Sequence, residues 1–168
     1  MIPYLFNRPL YIFDLDGTLA LTDHRQHILD NKDDAHRWDK FFAACVDDPP
    51  NEPVIRTLKA LRKAGAEVWV WSGRSEDVRP QTEEWLYKHG VFRSVPFLNW
   101  EPFTCPWMLL MRKSGDFTPD EELKFGWLAD LEPPERGRLI AIFDDRRKVV
   151  EMWRKLGVPC FQVAEGAF

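Results

Sequence analysis

The chain has 168 residues, of which 45% are hydrophobic and 30% charged, and its formal net charge is −4. This length and composition predict one soluble globular domain over residues 1–168, with a full hydrophobic core. They exclude a membrane-spanning helix and argue against a large phosphate-gripping surface, although a short basic groove stays compatible with the charge.

The first predicted element is a buried strand at residues 10–14, where β-prone residues stand in a row. Asp14 and Asp16 end it, and side chains two residues apart on a strand point the same way. Gly17 lets the chain turn there. Two carboxylates at this position suit a hard cation such as magnesium, and either could attack phosphorus. The alternative is a strand followed by an ordinary Asp-Gly turn.

The next segment, residues 20–53, is polar and lacks strand character. A helix is predicted within it at 36–45, because apolar residues recur there at helical spacing. These residues are Trp38, Phe41, Phe42 and Cys45. The run from Asp47 to Asn51, with two prolines, ends the helix. A helical insert directly after a strand that carries acidic residues predicts a small cap. A plain crossover helix is the alternative.

The remaining elements alternate between helix and strand. We predict helices at 54–64, 80–89, 118–131 and 149–156, and strands at 67–71, 139–143 and 160–163. Thr118 is expected to cap the third of these helices, with Glu121 completing a capping box. Two further stretches, 97–100 and 107–111, could each be a strand. Alternating strands and helices favour right-handed parallel units and an α/β fold.

Polar residues collect at three predicted strand ends. They are Asp14 and Asp16, the run from Ser72 to Arg74, and Asp144 with Asp145. Ligands bind at the carboxyl ends of strands in an open parallel sheet. Four carboxylates that meet there would repel one another unless a cation joins them, so the pattern predicts Mg²⁺. Ser72 and the amides near Gly73 can hold a phosphate oxygen, and a lysine or arginine nearby must offset the charge.

This constellation resembles the haloacid dehalogenase (HAD) superfamily of phosphohydrolases. The first motif is matched by Asp14 to Thr18, the second by Ser72, and the acidic fourth motif by Asp144 and Asp145. The resemblance implies a three-layer, Rossmann-like parallel sheet with a small helical cap inserted after the first strand.

A more specific resemblance, over nearly the whole chain from Tyr11, is to the 3′-phosphatase domains of phage polynucleotide kinases. It is carried by residues 13–20, 70–74, 112–116 and 142–164. No Gly-x-x-x-x-Gly-Lys-Ser/Thr phosphate loop occurs in the sequence, so phosphorylation from ATP is not expected.

The resemblance implies the catalytic and metal-binding roles. Asp14 would be the nucleophile, and Asp16 would protonate the leaving oxygen and then activate the hydrolytic water. Asp144 and Asp145, with Asp14 and the backbone carbonyl of Asp16, would hold Mg²⁺.

Substrate contacts are implied at the other matched positions. These are Thr18, Arg25, Ser72, Gly73, Arg74 and Asp116. Arg25 matches a family arginine placed nine residues after the acid/base aspartate, although alone it could be a solvated surface charge. Asp116 matches an aspartate important in that domain. Arg25, Arg74 and Arg79 are expected to line an entrance beside the phosphate.

The catalytic lysine departs from the family pattern, because Thr118-Pro119 replaces a short basic pair. Lys124 is the next lysine in register, inside the helix that begins near Thr118, and Lys113 is the other candidate. Lys124 is favoured because a helix holds a side chain more firmly than a loop does.

The expected function is Mg²⁺-dependent hydrolysis of nucleic-acid 3′-phosphates through an aspartyl-phosphate, without a kinase domain. A nucleotidase acting on free nucleoside monophosphates is the alternative, and a non-catalytic module that binds nucleic-acid ends is a second. Trp38 and Phe42 could stack a base or simply pack the helix. Scattered cysteines without a CxxC pair, and no recognisable secretory signal, predict a cytoplasmic protein. No membrane association and no obligate protein partner are expected.

Overall fold

A single parallel sheet forms the centre of the fold. In the computed structural model, which describes residues 8–92 and 108–166, its five strands are β1 (Leu10–Phe13), β2 (Glu67–Ser75), β3 (Leu109–Arg112), β4 (Leu139–Arg146) and β5 (Cys160–Gly166). The order across the sheet is β3-β2-β1-β4-β5, and every neighbouring pair is parallel.

Helices connect the strands. They are α1 (Asp23–Asp30), α2 (Arg37–Ala43), α3 (Glu52–Lys63), α4 (Arg79–Lys88), α5 (Asp120–Ala129), α6 (Pro133–Gly137) and α7 (Arg147–Lys155), with 3₁₀ turns at Ala44–Asp47 and Glu76–Val78. Among the residues that the structure describes, no helix combines the length and the apolar character needed to cross a bilayer.

Alternation along β2 explains the layers. Val68 and Val70 point into one hydrophobic core, whereas Trp69 and Trp71 point into another on the opposite face. The first core also contains residues of α3 and α4, and the second contains residues of α5 and α7. Helices therefore cover both faces of the sheet, and the predicted three-layer α/β fold is confirmed.

The strand order places a crevice beside β1. From this strand the chain builds β2 and β3 to one side and then β4 and β5 to the other. Phe13 of β1 lies opposite Val70 of β2 and Phe143 of β4, and the N–H of Asp14 donates to the carbonyl of Phe143 over 2.9 Å. The residues that follow β1 and β4 are thus neighbours at the switch point, where open α/β sheets bind ligands.

Several helices differ from the sequence predictions. Helix α1 was missed because its one fully buried side chain is that of Arg25, so it has no apolar periodicity. The helix predicted at 36–45 is α2 followed by a 3₁₀ turn. The predicted cap at Thr118 is wrong: α5 begins at Asp120 after Pro119, and the N–H of Thr118 donates instead to Asp116.

The two uncertain strands have different outcomes. The stretch at 107–111 contributes most of β3, whereas the one at 97–100 lies outside the described residues. β2 and β4 run on to Ser75 and Arg146, so their ends carry polar residues into the crevice.

Candidate active site

Three buried carboxylates meet where β1 and β4 end. Asp14, Asp144 and Asp145 each offer an oxygen, and these oxygens lie within 4.8 Å of one another. Lys124 reaches them from α5, and its Nζ donates to Asp14 over 2.6 Å and to Asp144 over 2.8 Å. All four side chains are buried. We call these four residues the nucleophile cluster, after the role that the resemblance implies for Asp14.

The nucleophile cluster carries more negative charge than its lysine can balance. Burial raises the pKa of Asp14 well above its ordinary value, against the opposing effect of Lys124, and the charges of Asp144 and Asp145 raise it further. Burial and the charge of Asp144 raise the pKa of Asp145 to about 6. An all-oxygen donor set with excess negative charge fits a hard divalent cation such as Mg²⁺.

Lys124 stays protonated in this setting. Burial alone would lower its pKa, but Asp14 and Asp144 outweigh that effect and raise the pKa above its usual range. The alternative candidate, Lys113, is exposed on the turn after β3. The structure thus brings Lys124, and not Lys113, to the carboxylate of Asp14.

A second charged group lies on the β2 side of β1. Arg25 donates to Asp16 over 2.8 Å, and Arg74 donates to the same oxygen over 2.7 Å through its Nε. Both guanidinium groups also bind Asp48, Arg25 through two bonds of 2.7 Å and Arg74 through one of 2.5 Å. We call Asp16, Arg25, Arg74 and Asp48 the acid/base cluster, after the role that the resemblance implies for Asp16.

The acid/base cluster is balanced in charge, with two carboxylates and two guanidinium groups. Burial alone would raise the pKa of Asp16, but Arg74 and Arg25 outweigh it and hold the pKa below its ordinary value. Asp16 therefore ionises readily, and its orientation is fixed by two charge-assisted contacts.

Asp48 is a candidate functional residue that the sequence did not reveal. Its carboxylate is fully buried between the two arginines, and it also lies 2.8 Å from Nε2 of His24. In the sequence it precedes two prolines and was interpreted as the end of a helix. Because Asp before Pro is a common turn pattern, no local signal distinguishes it from a solvent-exposed turn residue.

Two sequence expectations about charge are corrected. Arg25 and Arg74 are fully buried, so they do not line an entrance, and the side chain of Arg79 contacts Glu76 and Glu83. The carboxylate of Asp16 faces the two arginines, so three carboxylates form the nucleophile cluster rather than the four expected.

The predicted phosphate-binding residues lie at the same edge of the sheet. Ser72 is buried near the end of β2, and its Oγ accepts the N–H of Arg74 over 3.2 Å. Thr18 is also buried, and its hydroxyl lies 3.4 Å from a carboxylate oxygen of Asp145. Gly17 has φ +82°, and a Cβ added to it would lie 2.1 Å from the carboxylate of Asp145. Only glycine therefore fits at this position, which brings the backbone close to that carboxylate.

Asp116 does not reach either cluster. Its carboxylate accepts the N–H of Thr118 over 2.8 Å, and hydrogen bonding from Thr118 lowers its pKa in an exposed turn. Asp120 lies closer to the site, because both Arg112 and Arg146 donate to its carboxylate. An added Cβ at Gly73 would lie 2.7 Å from it, so glycine is needed for this approach. In the sequence, Asp120 stands out only as part of a predicted helix start.

The family of the chain follows from comparison with known proteins. The family model "Polynucleotide kinase PNKP phosphatase domain" matches residues 8–168. The chain belongs to this family. As a PNKP-type phosphatase domain it is a hydrolase of the HAD type that acts on phosphoric monoesters, as the sequence predicted.

Two relatives at 31% identity are longer than this chain. A protein of Autographa californica nuclear polyhedrosis virus named "Putative bifunctional polynucleotide kinase/RNA ligase" is 31% identical over 150 residues. That alignment covers 87% of this chain but only 18% of the viral protein. A solved chain in "Structure of Pnkp1/Rnl/Hen1 complex" is also 31% identical, with a TM-score of 0.72, and the match covers 96% of this chain and 48% of that one.

A more distant likeness supports the fold alone. The Class C acid phosphatase of Bacillus anthracis has a TM-score of 0.60 at 13% identity, over 96% of this chain and 68% of that protein. The same three-layer architecture therefore persists where little sequence identity remains.

Proposed function

We propose that this PNKP-type domain removes the phosphate from nucleic-acid 3′ ends through a covalent aspartyl-phosphate, with Mg²⁺ as its cofactor. The observation that carries the proposal is the contrast between Asp14 and Asp16. Asp14 lies against an ammonium and two further carboxylates, whereas Asp16 is held by two arginines. The first arrangement suits a nucleophile beside a cation, and the second suits an oriented acid/base group.

The first step transfers the phosphoryl group to the protein. A carboxylate oxygen of Asp14 attacks phosphorus in line, and the bond between phosphorus and the leaving 3′ oxygen breaks. Asp16 gives that oxygen its proton. Although the arginines favour the ionised form of Asp16, a phosphate dianion beside it raises its pKa by like-charge repulsion, which supplies the protonated form when substrate binds.

The second step releases phosphate. Asp16, now ionised, takes a proton from a water molecule, which attacks phosphorus and breaks the bond to Asp14. Lys124 offsets the negative charge that develops next to Asp14 in both steps. Ser72, Thr18 and the amides near Gly73 bind the non-reacting phosphate oxygens.

Asp14, Asp144 and Asp145, with the backbone carbonyl of Asp16, would hold Mg²⁺, which when bound neutralises charge on the phosphoryl oxygens. Residues 20–53, which contain α1 and α2, act in this proposal as a cap within a single domain over residues 1–168. The cap contributes Arg25 and Asp48 to the acid/base cluster.

The choice of substrate rests on the relatives. Their names refer to polynucleotide kinase, RNA ligase and a Pnkp1/Rnl/Hen1 complex, so a polynucleotide 3′ end is the substrate class we propose. One observation favours a nucleotidase as the second candidate: Arg25, Arg74 and Arg79 are engaged by carboxylates and cannot bind neighbouring phosphates without giving up those contacts.

The buried, unpaired thiols of Cys45 and Cys160 are consistent with a reducing, cytoplasmic setting.

A substrate panel tests the proposal. The purified chain is assayed on 3′-phosphorylated oligonucleotides and on free nucleoside monophosphates, with added Mg²⁺ and with chelator. We expect a larger kcat/KM for the oligonucleotides and no turnover in chelator. The salt slope should be small, about one or less on a log–log plot, because few phosphates are contacted. Equal or better turnover of mononucleotides would assign the nucleotidase function instead, and a panel without any turnover would favour an end-binding module.

A further inference from the structure

An exposed tryptophan lies on the cap. The side chain of Trp38, on α2, is 41% exposed, although its neighbours one turn away are two phenylalanines. Its ring is in edge contact with Phe41 at a centroid distance of 5.8 Å and lies tilted against Phe42 at 5.9 Å. Phe41 is buried, so Trp38 is the outer member of an aromatic group that is anchored in the protein.

This aromatic group is joined to the acid/base cluster. The guanidinium carbon of Arg25 lies 4.0 Å from the centre of the Phe41 ring, and another atom of the same guanidinium group binds Asp16. Arg25 also donates to the backbone carbonyl of Phe41 over 3.1 Å. Because these contacts are buried, the position of Trp38 is tied to that of Asp16 through only two intervening side chains.

The proposed chemistry determines the side of the phosphate on which the nucleoside lies. In an in-line displacement the leaving oxygen is opposite the attacking oxygen of Asp14. Asp16 protonates that leaving oxygen, so the departing nucleoside must lie next to Asp16. Arg25 and Arg74 bind Asp16 on this side, with Asp48 between them, and the aromatic residues of α2 pack against Arg25.

We propose that Trp38 is a stacking platform for the nucleobase of the nucleotide that bears the scissile phosphate. This inference rests on the proposed function and adds a base-binding subsite to it. Stacking suits this domain because every base has a π-face and no cation is required, while Arg25, Arg74 and Arg79 are occupied by carboxylates. Helix packing alone accounts for the buried Phe41 but gives no reason for the exposed ring beyond it.

Two substrates that differ only in the terminal nucleobase measure the contribution of the contact between Trp38 and that base. One is a short 3′-phosphorylated oligonucleotide, and the other is the same molecule with an abasic sugar at the phosphorylated end. In the unaltered protein the base-bearing substrate should have the larger kcat/KM. Trp38→Ala should lower the ratio of the two kcat/KM values by about fivefold to a hundredfold, the range observed for base–aromatic stacking.

Matched variants separate stacking from packing. Trp38→Phe keeps a π-face and should retain most of the ratio, whereas Trp38→Leu keeps an apolar side chain without a π-face and should lose it. Phe125→Ala removes a ring that is 47% exposed on α5, on the other face of the sheet, and should leave the ratio unchanged.

The outcomes distinguish this inference from the proposed function. If the unaltered chain hydrolyses neither substrate, the proposed function fails. If it hydrolyses both and Trp38→Ala lowers both kcat/KM values equally, or neither, the platform is refuted while the phosphatase function stands. Should Trp38→Ala fold poorly by circular dichroism, the comparison of Trp38→Phe with Trp38→Leu gives the same decision.

Discussion

The nucleophile cluster and the acid/base cluster show how two aspartates only two residues apart acquire opposite properties. Asp14 has a raised pKa, mainly because it is buried and faces two other carboxylates with one lysine between them. Asp16 has a lowered pKa, because two arginines outweigh the effect of burial. The sequence Asp-Leu-Asp is symmetrical, so the difference comes entirely from the elements on either side of β1.

In the proposed mechanism this difference separates nucleophilic attack from proton transfer. The nucleophile cluster lies on the β4 side, is short of positive charge, and suits a cation and a phosphoryl group. The acid/base cluster lies on the β2 side, where charge is balanced and every carboxylate is held by an arginine. A divalent ion therefore has an electrostatic reason to enter one cluster and none to enter the other.

The largest effect is expected for the two motif aspartates. Asp14→Asn removes the attacking oxygen and should reduce turnover to background. Asp16→Asn keeps the nucleophile but removes proton transfer, so kcat should fall by a factor on the order of a hundred or more. Single-turnover assays on a 3′-phosphorylated oligonucleotide measure both. The exposed Asp39, 79% accessible, provides the control Asp39→Asn. Near-normal turnover in Asp14→Asn would contradict the covalent mechanism.

Replacing Lys124 tests whether the positive charge in the nucleophile cluster is needed for activity. Lys124→Ala removes an ammonium that contacts Asp14 and Asp144, so activity should fall far more than in Lys113→Ala, which alters an exposed turn. Loss of this buried partner should also lower the free energy of unfolding by about 3 to 5 kcal/mol in chelator. Chemical denaturation and kcat/KM are the measurements. The reverse ranking of the two lysines would transfer the role to Lys113.

These clusters also show which features the sequence could predict. The apolar runs of three strands are plain in the sequence, and each run leads directly to a polar site residue: Asp14, Ser72 or Asp144. Parallel strands bring their carboxyl ends to one edge of the sheet, so these residues could be expected to meet. Lys124 was favoured because it is the next lysine in register with the family pattern and because a helix holds a side chain more firmly than a loop does. Periodicity, motifs and the family resemblance therefore predicted the fold and all four members of the nucleophile cluster, although Asp16 was wrongly expected to join its carboxylates.

The contacts within the acid/base cluster could not be predicted from the sequence in the same way. Arg25 lies on α1, a helix without apolar periodicity, and Asp48 follows a 3₁₀ turn ahead of two prolines. Pairing between a buried arginine and a buried aspartate depends on long-range packing of the insert against β2, and a single sequence carries no local signal for it. Arg25 and Arg74 were expected to contact the substrate and line an entrance, and Asp48 was not expected in the site.

Replacing Asp48 should have a smaller effect on activity. It tests whether Asp48 only stabilises the fold or also sets the pKa of Asp16. Asp48→Asn leaves two buried guanidinium groups with one carboxylate, so the pKa of Asp16 should fall further and the protonated form needed for the leaving group becomes scarcer. We expect kcat to fall by about tenfold, less than the loss of about a hundredfold or more expected when the acid–base group itself is removed. The decline of activity with rising pH should also begin at lower pH. A purely structural role would change stability but leave the pH profile in place.

The smallest expected effect is a change in protein stability with pH and with Mg²⁺, caused by the carboxylates of the nucleophile cluster. The pKa of Asp145 is about 6 in the fold and 3.8 ordinarily, so the metal-free fold binds more protons than the unfolded chain between these values. Stability of the metal-free protein should therefore fall as pH rises through about 6.

Mg²⁺ requires ionised ligands, so it should stabilise the fold more at about pH 8 than at about pH 5. At ten times its dissociation constant it adds about 1.4 kcal/mol, or about 3 to 6 °C in Tm for a domain of this size. Thermal unfolding with and without Mg²⁺ measures the gain. Asp144→Asn should abolish it and Asp39→Asn should not. A gain that is equal at the two pH values, or that survives in Asp144→Asn, would place the cation away from this cluster.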